Sequence, residues 1–152
     1  AVPYIIGPIV YSVVIYYLSY KAFQLKITDL EGSAFKIEDD NIQLFDKIAK
    51  LISEDKLYLE STLSLAHVSK LIGESTQKTS LVINEYAKRN FNDFINYYRV
   101  QDAKKMLSNP ENEKFTISSI AFDTGFSSLS SFNTAFKKFE GSTPSTFRKK
   151  YT

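Results

Sequence analysis

The alternation of hydrophobic and polar positions changes character along the chain. Residues 1–20, AVPYIIGPIVYSVVIYYLSY, carry no charge, and about 20 such residues suffice for a helix to cross a bilayer. Tyr16, Tyr17 and Tyr20 gather at one end, where an aromatic belt would sit, and Lys21 and Lys26 follow with no acid before Asp29. That asymmetry puts the rest of the chain on the cytoplasmic side. The reading is a transmembrane helix over residues 1–23, with the membrane engaged through residues 1–20. Two other readings stay open. Pro3 and Pro8 would leave regular helix only from Pro8 to Phe23, which suits a buried core helix, and the dominance of Val, Ile and Tyr suits a strand. A signal peptide is disfavoured, since there is no basic leader and no small-residue cleavage site. The start at Ala1 instead of Met reads as a fragment or processed piece. Residues 24–40 are polar and acidic without clear periodicity and read as a linker.

From Ile42 the pattern turns helical. Ile42, Phe45, Ile48, Ala49 and Ile52 recur at spacings of three and four, the signature of one buried helix face. Asp40 or Asn41 is placed to cap its start. Further on, two stretches resemble each other: LSLAHVSKLIGESTQKTSLVINEYAK and FTISSIAFDTGFSSLSSFNTAFKKFE. Leu65, Val68, Ile72 and Gly73 align with Ile117, Ile120, Thr124 and Gly125. One extra residue follows the second glycine, after which Thr79 and Ile83 align with Phe132 and Phe136. Each copy reads as helix-turn-helix. Ser64 or Thr116 caps a short helix, a glycine takes the positive φ that a sharp turn needs, and Ser75 or Ser127 caps a second helix. That second helix buries Ile83, or Phe132 and Phe136. It leaves Gln77, Ser80 and Asn84, or Ser130, Asn133 and Thr134, on its other face, where short polar side chains suit base edges in a major groove. The intervening NFNDFINYYRVQDAKKMLSN predicts a linker helix through Phe94, Tyr97, Tyr98, Ala103 and Leu107, ended by Asn109-Pro110.

Charge sharpens this picture. The whole chain carries only +2, but residues 41–152 hold 16 Lys and Arg against 12 Asp and Glu, a net of +4. The tail is the most basic part, with Lys137, Lys138, Arg148, Lys149 and Lys150 against Glu140 alone, as a phosphate-tracking surface requires. There are no cysteines and one histidine, His67, so thiolate nucleophiles and the usual zinc sites are excluded. His67 reads as an exposed helix residue. No phosphate-cradling glycine loop occurs, and neither metal nor cofactor is expected. The chain does not read as an enzyme.

The second unit and its tail, ISSIAFDTGFSSLSSFNTAFKKFEGSTPSTFRKK, resemble the signature of the AraC/XylS family of bacterial transcription regulators. The matching positions are Ile117, Ile120, Ala121, Gly125, Phe126, Ser127, Phe132, Phe136, Lys137, Gly141, Pro144 and Arg148. Leu65, Gly73, Ser75, Phe91, Phe94, Tyr98, Arg99 and Ala103 extend the resemblance through the first unit, so that it covers about residues 42–152. It implies an all-α, seven-helix domain over residues 41–152, with two helix-turn-helix units joined by a linker helix and preceded here by the hydrophobic helix. It implies double-stranded promoter DNA as partner, RNA polymerase as a second, and a homodimer as an option. By family position the first unit would offer Gln77, Lys78, Ser80, Leu81 and Asn84 to DNA. The second would offer Leu129, Ser130, Asn133 and Thr134, with Lys137 on phosphate. Family members often carry arginine where Leu81 and Thr134 stand, which puts guanine readout there in doubt. Thr79 replaces a usually apolar core residue and is expected to loosen the first unit. A charge-free helix before such a domain is similar to membrane-tethered members. It implies the bacterial inner membrane with the DNA-binding domain in the cytoplasm, or the cytoplasm alone if residues 1–20 do not span. The rival reading is a membrane-anchored module whose helical domain binds protein.

Overall fold

The computed structural model describes residues 3–151, with side chains from Ile9 onward except at positions 34, 35 and 38. Ala1, Val2 and Thr152, which fall within the expected hydrophobic helix and DNA-binding domain, lie outside the described residues. The described residues are helical throughout, with turns between: α1 Pro3–Ser53, α2 Leu65–Ile72, α3 Thr76–Ala87, α4 Phe91–Ser108, α5 Ile117–Asp123, α6 Leu129–Glu140 and α7 Pro144–Arg148. Single 3-10 turns occur at Leu57–Leu59 and Pro110–Asn112. The chain divides into two units, 1–41 and 42–152.

In the first unit the expectations change. The backbone is helical from Pro3, so the proline-interrupted and strand readings do not hold. Residues 24–40, expected as a linker, are helical too, and α1 runs through Asp40 and Asn41, so neither caps a helix start. Among the described residues no helix is long and apolar enough to cross a membrane. The transmembrane helix over residues 1–23 is therefore not supported.

The second unit is built around α4. Its first half gives Phe91, Phe94 and Ile95 to a core shared with Leu44, Ile48 and Ile52 of α1, Val68 and Ile72 of α2, and Val82 and Ile83 of α3. Its second half gives Val100, Ala103 and Leu107 to a core with Ile120, Ala121, Phe126, Phe132, Ala135, Phe136 and Phe147. At about 100° per residue, Phe91, Phe94 and Ile95 fall on one side of the helix and Val100, Ala103 and Leu107 on nearly the opposite side. One helix thus serves two lobes. Of the face predicted to lead into the domain, Ile48 and Ile52 are fully buried, Phe45 and Ala49 are half-buried, and Ile42 is exposed. Leu44 takes the place that Ile42 was expected to fill.

Arg99 ties the lobes together. Its side chain is buried; Nε donates to the Tyr58 carbonyl at 2.7 Å and Nη2 to the Glu60 carbonyl at 2.8 Å. The guanidinium lies 5.6 Å from the centre of the Phe126 ring. Burial lowers the Arg99 pKa, a cost that charge-assisted bonds to backbone carbonyls offset. Gly125 explains why the chain approaches so closely here. At φ 88° it holds a left-handed conformation, and a Cβ on it would lie 2.5 Å from the Tyr58 carbonyl oxygen.

Candidate nucleic-acid interface

Both repeats form the expected helix-turn-helix units. Ser64 and Thr116 cap α2 and α5, accepting from the backbone N–H of His67 at 3.2 Å and of Ser119 at 3.0 Å. Gly73 takes φ 77° at the end of α2. Ser75 then caps α3, accepting from Lys78 N–H at 3.2 Å. In the second unit the cap is Ser128, not Ser127: its hydroxyl accepts from Ser131 N–H at 3.1 Å. The reason is the extra residue after Gly125. Three residues separate that glycine from α6, against two between Gly73 and α3, and the added length lets Phe126 turn inward. There it is buried and packs edge-on against Phe132 at 5.1 Å.

On α3, Thr79, Val82 and Ile83 face the core. The opposite face, with Gln77, Ser80, Leu81 and Asn84, lines one open groove together with Leu65, Thr76 and Glu85. Gln77 and Asn84 are exposed, Ser80 is half-buried, and Leu81 is 56% exposed although apolar. Lys78 stands apart from the groove. It is half-buried, and its Nζ donates to a Glu74 carboxylate oxygen at 3.0 Å. Thr76 and Glu85 are groove residues that the repeat alignment does not single out. The helical spacing from Gln77 and Leu81 would have found Glu85, one position past Asn84.

Thr79 is wholly buried, yet its hydroxyl is satisfied. It donates to the Ser75 carbonyl at 2.9 Å and accepts from the Ser69 hydroxyl at 3.0 Å. Ser69, also buried, lies 2.8 Å from the Leu65 carbonyl as a second acceptor for the same proton. A polar pair buried with its partners carries little penalty, so the physical ground for expecting a loosened first unit is removed.

On α6, Phe132, Ala135 and Phe136 are buried. Leu129, Ser130, Asn133, Thr134 and Lys137 are all exposed, and their spacing sets them along one side of the helix. Two ion pairs fix α6 on α4. Lys138 Nζ lies 2.7 Å from both carboxylate oxygens of Asp93, and Lys104 Nζ lies 2.7 Å from Glu140. The two neighbouring lysines thus differ, with Lys138 engaged in the scaffold and Lys137 presented outward. Arg148, counted with the basic tail, donates to the Phe115 carbonyl at 2.8 Å. His67 is exposed on the first turn of α2, 3.7 Å from Glu60.

Residues 68–150 match the family description of the helix-turn-helix domain. An uncharacterized HTH-type transcriptional regulator of Staphylococcus aureus strain COL is 33% identical over 103 residues, which is 68% of this chain and 13% of that protein. The chain therefore spans about an eighth of the length of that curated relative. Among solved structures, the C-terminal domain of AraT, a response regulator from Geobacillus stearothermophilus, is similar, with a TM-score of 0.62 and 25% identity. The match covers 70% of this chain and 84% of that one. The DNA-binding domain of AdpA, a global transcriptional factor solved with a target DNA, shares the fold at a TM-score of 0.61 and 16% identity, over 70% of this chain and 91% of that one. By the match over residues 68–150, this chain belongs to the AraC-type helix-turn-helix family of DNA-binding transcription regulators.

Proposed function

We propose that this chain is the promoter-reading part of a longer regulator, and that α3 and α6 enter successive major grooves of one DNA duplex. The observation that carries this reading is the repeated exposed face. Gln77, Leu81 and Asn84 stand out on α3 with Ser80 half-buried among them, and Leu129, Ser130, Asn133 and Thr134 stand out on α6, each set opposite a buried face. Both helices pack on α4, whose 18 residues give a spacer of roughly 27 Å. That is of the order of the ~34 Å between successive major grooves on one side of DNA.

Roles follow from side-chain chemistry. Gln77, Asn84 and Asn133 are suited to adenine, which presents an acceptor and a donor side by side. Leu81 and Leu129 suit thymine methyls. Glu85 accepts from the cytosine amino group and repels phosphate, so it favours a cytosine beneath the α3 groove. Lys137 neutralises phosphate and sets register. With leucine and threonine at positions 81 and 134, guanine is not the expected readout. The protein-interaction reading has no comparable support, and membrane attachment through residues 1–20 forms no part of this proposal.

The test is selection of the 152-residue chain on random duplex DNA, followed by affinity for the winners against scrambled duplex over a salt series. A bipartite A/T-rich site with half-sites about one helical turn apart supports the proposal. Equal binding to every sequence, vanishing with salt, overturns it.

A further inference from the structure

The first unit exposes many large apolar side chains, and between Tyr20 and Asn41 they are not scattered. Tyr20, Phe23, Ile27, Leu30, Ile37 and Asn41 follow one another at alternating steps of three and four, with Ala34 completing the series in the sequence. This is a seven-residue repeat with Tyr20, Ile27, Ala34 and Asn41 at the first core position, and Phe23, Leu30 and Ile37 at the fourth. All of these positions lie on the unbroken helix α1. Phe23, Leu30 and Ile37 are each 61% exposed. Of the five exposed large apolar side chains described from Tyr20 to Asn41, four lie on this seam and only Leu25 lies off it; in sequence Phe35 also falls outside it.

We infer that residues 20–41 form a parallel, in-register two-stranded coiled coil with a second copy of this chain. Two further features select that occupant. Asn41 takes a first core position, where two asparagines bond across a parallel dimer and penalise other registers and oligomer states. Lys26 and Glu31 flank the seam five residues apart, on the two positions that face each other across a parallel pair. In register, Lys26 of each strand meets Glu31 of the other. Lys21 and Asp29 lie outside the seam and make no such pair. This inference is independent of DNA recognition and is measured without DNA.

The experiment uses the full 152-residue chain, which contains no cysteine. Leu30→Cys and Leu25→Cys are oxidised under mild conditions and followed by sedimentation before and after reduction. A parallel dimer crosslinks Leu30→Cys to a covalent dimer, while Leu25→Cys, on the outer side, stays largely reduced. Charge reversal then tests register. Lys26→Glu weakens dimerisation about tenfold at low salt, since two attractive pairs become repulsive, and Lys26→Glu with Glu31→Lys restores it. These are surface changes on an exposed helix face, so the helical signal of each variant is retained. A chain that sediments as a monomer at all concentrations, equal crosslinking at both cysteines, or a double variant as weak as the single one overturns the inference.

Discussion

Replacing Gly125 with alanine should cost far more than the same change at Gly73, although both glycines end the first helix of a helix-turn-helix unit. Both have positive φ, 77° at Gly73 and 88° at Gly125. An L-residue held in the left-handed region loses about 1–2 kcal/mol. The stiffer unfolded chain returns about 0.4–1 kcal/mol. Around Gly73 nothing lies within 4 Å of a built Cβ, so Gly73→Ala should cost about 1 kcal/mol. At Gly125 the same Cβ would meet the Tyr58 carbonyl oxygen at 2.5 Å and the Leu59 carbonyl oxygen at 2.8 Å. These are backbone atoms that cannot swing away, and overpacking of this kind costs about 1–3 kcal/mol more. Displacing Tyr58 also disturbs the 2.7 Å bond from Arg99, and bonds to charged groups are worth about 1.5–3 kcal/mol. The terms for Gly125→Ala sum to about 3.5–7 kcal/mol. Urea unfolding followed by near-ultraviolet circular dichroism, which reads the packed phenylalanines and tyrosines, measures both variants. Unfolding free energies of the two variants that agree to within about 0.5 kcal/mol would show that the close approach of the turn to the Leu57–Leu59 segment is not what requires glycine here.

Three other outcomes are expected. Thr79→Val should be nearly neutral in the same urea experiment, within about 1 kcal/mol, because Ser69 retains the Leu65 carbonyl at 2.8 Å as acceptor and the side-chain volume is kept; a loss above about 3 kcal/mol would mean the Ser69–Thr79 pair is indispensable. Asn133→Ala should relax base preference at one position of the selected DNA site, whereas Lys137→Ala should weaken all sequences alike and lower the salt slope by about one; identical profiles for the two variants would refute the division of roles. The Tyr58 hydroxyl is pushed up to about 12 by burial, then by the nearby Asp102 charge and the 3.2 Å bond it donates to that carboxylate. Tyr98 is raised as well, chiefly by burial. A raised folded-state pKa gives stability that is complete below pH 10 and is lost as pH climbs from 10 towards 12. Tyr58→Phe should flatten part of that alkaline decline, and an unchanged slope in pH-dependent unfolding would refute the assignment.

The local punctuation of the domain was legible in the sequence because capping and turning are short-range events. Ser64, Ser75 and Thr116 cap where they were expected, and Asn109-Pro110 ends α4. Gly73 and Gly125 take positive φ as the repeat required. The exposed faces of α3 and α6 followed from helical period alone, since a helix that buries Ile83 or Phe136 must turn Asn84 or Asn133 outward. The seven-residue repeat in α1 is also present in the sequence, but the acidic and polar residues at its outer positions mask it.

Other features needed the tertiary structure. Ser127 and Ser128 are equally good caps by composition, and burial of Phe126 decides between them by drawing the chain inward for one more residue. Arg99 looks like a surface charge until Tyr58 and Glu60 present their carbonyls to it from about forty positions earlier in the chain. Thr79 looks like a defect until Ser69, on the preceding helix, completes it. Lys137 and Lys138 are indistinguishable neighbours until Asp93 claims one of them. For Arg99, Thr79 and Lys138 the deciding partner is distant in sequence or on another helix. Helical period and capping act over three or four residues and specify which way a side chain faces, whereas packing between helices specifies what it meets there.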